Sequence, residues 1–249
     1  MKYVDYLNSE KILYERSLVI IGEKLEYIEM LSELYRIPLE TAEADENSHP
    51  SVFTVWWLEK LTLNSMYSAV QNYFRLQNFL CFASMRYGIE TTLKAYYLQK
   101  NPDSIAGFLE NTREFQQIKS SIRKNIEIAD SEKDIIDFLF EVHSGCSSYG
   151  SHPDLGSIIR GRFRFSEDPN DDRAFFNYFQ KPESENHFIR EYLSYFPIYV
   201  RCLQIYMPYF ENHTRLDKCE WDERSRRFTT DLNADIAKFN EYLNIKDSV

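Results

Sequence analysis

Only seven of the 249 residues are glycine, about 3% against a usual ~7%. Tight turns draw on residues that accept a positive φ. A chain this poor in glycine is ill suited to the many reversals of a sandwich or barrel. The same scarcity removes phosphate-cradling loops, since neither GxGxxG nor GxxxxGK[ST] occurs. Long elements with few connections remain, and the chain is expected to be mainly α.

Apolar spacing supports this. Tyr14, Leu18, Ile21, Leu25, Ile28, Ser32 and Tyr35 recur at alternating steps of four and three, which predicts one helix over about 10–36, ended by Pro38. The window 41–51 is acidic and polar and reads as a surface loop. Residues 51–100 then carry five basic and two acidic side chains, whereas residues 1–50 carry five and eleven. From Met66 to Tyr97 apolar residues fall on nearly every face, which predicts a buried central helix stopped at Asn101-Pro102. Shorter helices are expected at 112–128 and 131–147, the second capped by Ser131.

The rhythm changes over 155–181. Ile159, Gly161, Phe163 and Phe165 alternate with Arg160, Arg162 and Arg164, and an acidic turn follows before Ala174 to Phe179. This predicts one short β-hairpin or extended insertion near 157–180. Helices are expected again at 184–212, bent at Pro197 or Pro208, and at 218–243, where Trp221, Phe228, Leu232, Ile236, Phe239 and Leu243 mark an apolar face. The expectation is a single domain over 1–249: a helical bundle of about six helices, with the acidic loop 41–51 and the extended insertion 155–181. Its core is rich in Tyr and Phe, 18 of each, and buried Tyr hydroxyls need partners.

Cys81, Cys146, Cys202 and Cys219 form no CxxC, and the first residues lack an apolar signal region. Reduced thiols and a cytoplasmic location are expected. The most apolar late stretch, Phe196 to Phe210, is too short and too interrupted for a bilayer, so no membrane association is expected.

Three places concentrate chemistry. Arg75, Arg86 and Glu90 stand in the apolar central segment; Arg86 and Glu90 are one helical turn apart, and Arg75 is expected to share the Arg86 face. Such a pair either orients a buried helix or holds a guanidinium ready for a phosphate or carboxylate. The second place is HSGCSSYGSHP, residues 143–153, with Ser148, Tyr149 and two histidines at a helix end. It contains no GxSxG elbow, and its His143, Cys146 and His152 match no common zinc spacing, so no metal and no cofactor are expected. The third is the Arg160, Arg162 and Arg164 row, either a solvated hairpin face or a contact for a polyanion. The net charge of −10 opposes bulk nucleic-acid binding but not a local site. The acids are spread over solvent-facing positions, and no catalytic carboxylate pair stands out.

Arg-x-x-x-Glu at Arg86 and Glu90, followed by Ser-x-x-x-His-Pro at Ser148, His152 and Pro153, resembles prokaryotic all-helical families grouped near the HEPN-type bundles of defence and toxin systems. The resemblance covers about residues 66–155. It implies a helical bundle, often a homodimer, that acts on RNA without a metal. His152 would be the acid/base and Arg86 would stabilise phosphorane charge. The family's ribonuclease motif sets four to six residues between Arg and His; before His152 those positions hold Ser147, Cys146 and Gly145. Three readings follow. One is a binding or regulatory protein, within a defence or stress system, with a ligand site at Arg75, Arg86, Glu90, Ser148 and Tyr149. Another is a metal-independent ribonuclease using His152 and Arg86. The third is a self-association protein that uses the faces of its first and last helices.

Overall fold

The computed structural model describes residues 3–41, 48–109, 114–147, 163–165, 174–176, 184–213 and 215–246. It is mainly helical. Its helices are α1 (Tyr3–Ile21), α2 (Glu26–Glu40), α3 (Pro50–Phe74), α4 (Asn78–Lys100), α5 (Ile105–Leu109), α6 (Phe115–Asn125), α7 (Asp130–Cys146), α8 (Glu185–His213) and α9 (Lys218–Lys246). Eight of these have eleven residues or more, against the six expected. Of the expected insertion, Phe163–Phe165 and Ala174–Phe176 are described; they pair antiparallel, with Phe163 opposite Phe176 and Arg164 opposite Phe175. Arg160 and Arg162 lie outside the described residues. No helix among the described residues is long and apolar enough to cross a membrane.

The extra helices come from breaks that periodicity does not reveal. The expected first helix is interrupted at Gly22, which has φ +53°, and a short 3-10 segment, Gly22–Leu25, connects α1 to α2. A 3-10 turn holds three residues, so the apolar face changes phase across it. Tyr27, Leu31, Leu34, Tyr35 and Pro38 are the buried residues of α2, and only Tyr35 belongs to the expected stripe. Pro38 does not end this helix, which runs two residues further. Proline has no N–H for the carbonyl four residues back, here Leu34. The Trp221 indole N–H of α9 donates to that carbonyl at 3.1 Å in a buried contact.

The central segment is likewise two helices. Gln77 N–H donates to Asn72 C=O and Leu76 N–H to Tyr73 C=O, both at 2.8 Å, and Leu76 has φ +56°. This is the double hydrogen bond of a Schellman turn, built with Leu at the position where glycine is usual. Chain reversal follows, and α3 packs along the length of α4. They approach closely at Gly88, where a Cβ would collide with Ser65 Oγ and lie 3.3 Å from the Tyr199 ring. The expected cap Ser131 sits inside α7; the N-cap position is Ala129, with no side-chain bond. By contrast α8 and α9 are capped, by Ser184 Oγ accepting from His187 N–H and Asp217 Oδ1 accepting from Glu220 N–H, each at 3.1 Å.

The core lies where α3 and α4 meet α8, which also touches α1, α2, α7 and α9. α8 continues through Pro197 and Pro208. Its Tyr192, Phe196, Tyr199, Tyr206 and Phe210 are all at most 1% exposed. Buried hydroxyls find main-chain acceptors on other elements. Tyr35 donates to Tyr199 C=O at 2.7 Å, Tyr73 to Phe188 C=O at 2.8 Å, Tyr192 to Lys24 C=O at 3.0 Å and Ser17 to Phe74 C=O at 2.7 Å. Each satisfied bond contributes about 0.5–1.5 kcal/mol and fixes one helix against another. Glu59 of α3 is a buried acid with no such partner. It is 0% exposed, and neither carboxyl oxygen has a hydrogen-bond partner among the described residues. Burial pushes its carboxyl well above the usual range, with Lys60 opposing, and so favours the neutral form.

Candidate functional site

Glu90 lies midway along α4, on the side facing α6 and α7. Arg86, one turn earlier, presents Nε to Glu90 Oε1 at 2.8 Å. The last turn of α7 brings His143 Nε2 to the same oxygen at 2.9 Å. One carboxylate oxygen therefore holds a guanidinium and an imidazole together. His143 occupies the buried stripe of α7 with Ile136, Leu139, Phe140 and Cys146, and is 3% exposed. Phe115 of α6 packs on its ring, centroids 5.1 Å apart. Its other nitrogen, Nδ1, is buried with no hydrogen-bond partner among the described residues.

The charge of Glu90 is set by competition. Burial works against ionisation, but hydrogen bonds from His143 and Arg86 and the guanidinium's charge outweigh it, and the carboxyl is held below its ordinary value. Glu90 is thus an anion already engaged by its two partners. Around it are further cations. Lys119 and Arg123, one turn apart on α6, both lie over the Phe140 ring, at 5.5 and 4.5 Å from its centroid. Neither has an ion-pair partner among the described residues. Burial lowers the Lys119 ammonium pKa, and Arg123 and Arg86 lower it further, with Glu90 opposing. Cys146, beside Arg86, is pushed up to about 11 by burial despite the guanidinium, so it is a thiol and not a thiolate.

Of the residues expected from sequence, Arg86 and Glu90 meet as anticipated. Arg75 does not join them. It caps the end of α3, before the Leu76 turn, so eleven residues no longer measure three turns of one helix. Its Nε pairs with Glu10 at 3.2 Å and its guanidinium lies over Tyr14, tying α1 to the α3–α4 turn. Ser148, Tyr149 and His152 lie outside the described residues, directly after the helix that carries His143. His143, Lys119 and Arg123 were not singled out as site residues by sequence. A histidine on an otherwise apolar helical stripe is the signal that points to the first. Only the packing of α6 against α4 and α7 reveals the other two.

Chemically the arrangement can receive negative charge. Two cations, Lys119 and Arg123, share one buried aromatic platform beside Arg86, and Glu90 is spent on Arg86 and His143. The groove of about 330 Å³ between α3 and α4 is separate; Leu61, Asn64, Ser68, Leu80, Ser84 and Tyr87 are among its lining residues, and Arg86, Glu90 and His143 are not. Among the described residues no group of three His, Cys, Asp or Glu side chains is placed to hold a metal ion. Comparison of the chain with protein-family models, with curated proteins and with solved structures finds no match in any of the three.

Proposed function

We propose that this chain is a binding or regulatory protein whose ligand is anionic and phosphate-bearing, received on the α4–α6–α7 face by Arg86, Lys119 and Arg123. The observation that carries the reading is the pairing of Lys119 and Arg123 on Phe140 with no ion-pair partner for either among the described residues, in a chain of net charge −10. Like charges one turn apart repel on a helix surface. An incoming phosphate relieves that repulsion, and a guanidinium accepts it in a bidentate fork. Glu90 and His143 set the Arg86 side chain in place. The four free cysteines, three of them buried, support a reducing compartment such as the cytoplasm. A role in a defence or stress system belongs to the same proposal.

The test is isothermal titration calorimetry with inorganic phosphate, and fluorescence anisotropy with a labelled single-stranded RNA. Binding weakened at least tenfold in Lys119→Ala and in Arg123→Ala, with a salt slope reduced by about one per lost phosphate contact, supports the reading. Equal affinity in the native protein and both variants sinks it.

A second reading, metal-independent RNA cleavage, draws on the carboxylate–imidazole pair of Glu90 and His143 beside those cations. There Arg86 stabilises charge on the phosphorane and His152 exchanges the proton. Turnover of RNA that disappears in Arg86→Ala and in His152→Ala supports it. Turnover unchanged in both variants removes it.

A further inference from the structure

A different face of the molecule carries an inference independent of the anion site. Four large apolar side chains stand out from α3 and α4: Phe53 is 50% exposed, Trp57 61%, Leu80 45% and Tyr87 49%. They fall on one surface. On α3, positions 53, 57, 60, 64 and 68 form an exposed stripe, and on α4 positions 80 and 87 are exposed, with 84 half-buried between them; Asn64 and Ser68 line one groove with Leu80, Ser84 and Tyr87. The two ends of this surface differ. At one end Phe53 and Trp57 project. At the other, small side chains, Ser68, Ala83 and Ser84, line a groove between the helices whose lining also includes the exposed Leu80 and Tyr87.

We propose that this face is the interface of a homodimer, in which Phe53 and Trp57 of one copy seat in the Ser68–Ser84 groove of the other. Projection and groove lie on one face, about three helical turns or ~16 Å apart. A two-fold axis through the midpoint, near Leu61 and Asn64, places each copy's projection over the other's groove. A surface that carries both halves of a contact is the geometry an isologous interface requires.

Area and charge agree. The face runs from Phe53 to Asn72 over two helices, about 30 Å by 20 Å, or about 1,200 Å² for the pair, at the lower bound of stable interfaces. Two chains of charge −10 repel at long range. α3 and α4 together hold only two acids, Glu59, which is buried, and Glu90, which is tied to Arg86 and His143. The face is therefore free of the acids that populate the rest of the chain, and two copies meet there with least repulsion.

Sedimentation equilibrium on the full chain, over a hundredfold range of concentration, is the first measurement. A mass rising to twice 29.8 kDa is expected. Trp57→Glu changes an exposed position and Ser84→Arg a half-buried one, both outside the core, and each is expected to raise the dimer dissociation constant at least tenfold while leaving the far-UV circular dichroism unchanged. Cys219, exposed, is replaced by Ser for a cross-linking arm. In that background a Trp57→Cys, Ser84→Cys double variant should oxidise to a covalent dimer, and neither single variant should. A monomeric mass at every concentration overturns the proposal. So does a dimer whose dissociation constant is unchanged in both charge variants, since that dimer uses another face, such as the exposed apolar residues of α1. A dimer that is weakened by the charge variants but forms no cross-link overturns the seating of Trp57 against Ser84.

Discussion

Replacing Trp221 by Phe keeps a large ring in the α2–α9 contact but removes the N–H that the Leu34 carbonyl accepts at 3.1 Å. That carbonyl has no alternative donor within its own helix, because the residue four positions on is Pro38. Leaving a buried acceptor unsatisfied costs about 1–3 kcal/mol. Shrinking the ring adds a packing cost of about 1 kcal/mol. The single variant should thus lose about 2–4 kcal/mol, at roughly 2–4 °C of Tm per kcal/mol for a chain of this length. Pro38→Ala restores the missing helix N–H. In that background Leu34 is satisfied without the indole, and Trp221→Phe should cost about 1–3 kcal/mol less than it does in the native chain. Urea denaturation of the native protein, both singles and the double gives the four free energies, provided the m-values agree. Equal costs of Trp221→Phe in the two backgrounds, within about 0.5 kcal/mol, would refute the idea that the indole substitutes for the proline's lost donor.

Other positions yield sharper or opposite expectations. Gly88→Ala should destabilise, because the clash with Ser65 Oγ costs about 1–3 kcal/mol and the gain in helix propensity returns only about 1; adding Ser65→Ala should recover part of the loss in the same denaturation assay. Glu59→Met should stabilise the protein at neutral pH, by about 1–3 kcal/mol, since it removes an unsatisfied buried carboxyl. Glu59 has a folded pKa raised above 4.5, so its contribution is fully present below that value and is lost as pH rises; the variant's advantage must therefore grow with pH, and an advantage that shrinks contradicts the assignment. Glu90 is the reverse case, with a depressed folded pKa. The stability it contributes is present above 4.5 and lost as pH falls through the folded value, so midpoints of native and Glu90→Gln protein should converge on acidification.

Helix content and order are legible in the sequence because apolar spacing is a local property, and α8 and α9 fall within a few residues of where that spacing puts them. What fails is phase. Gly22 and Leu76 each redirect the chain at one residue, and neither carries a local signal strong enough to override a continuous run of helix formers on both sides. The Leu76 turn is the more instructive, since glycine is the usual residue there and the sequence offers leucine. That single turn also explains the misplaced Arg75. Arg86 and Glu90 are found from sequence because their contact is one helical turn. Their third partner, His143, is 53 residues away and joins them only when α7 docks on α4. Lys119 and Arg123 are ordinary surface-type residues until Phe140 gives them a shared platform.

The tyrosine hydroxyls that donate to main-chain carbonyls on neighbouring helices bear on how this bundle moves. Helices packed by apolar side chains alone can slide along one another by small steps, the shear motion that many bundles use to respond to ligands. A hydroxyl bonded to one particular carbonyl fixes axial register, because a slip of one residue breaks the bond and leaves two buried groups unsatisfied. Tyr35, Tyr73 and Tyr192 pin α8 in this way against α2, α3 and the Gly22–Leu25 turn. Sliding of the central helix is thereby suppressed. Rearrangement of this molecule is directed instead into rotation of whole helices about their connections, and replacing these tyrosines by phenylalanine, a change that preserves shape, would release the gliding motion the native chain lacks.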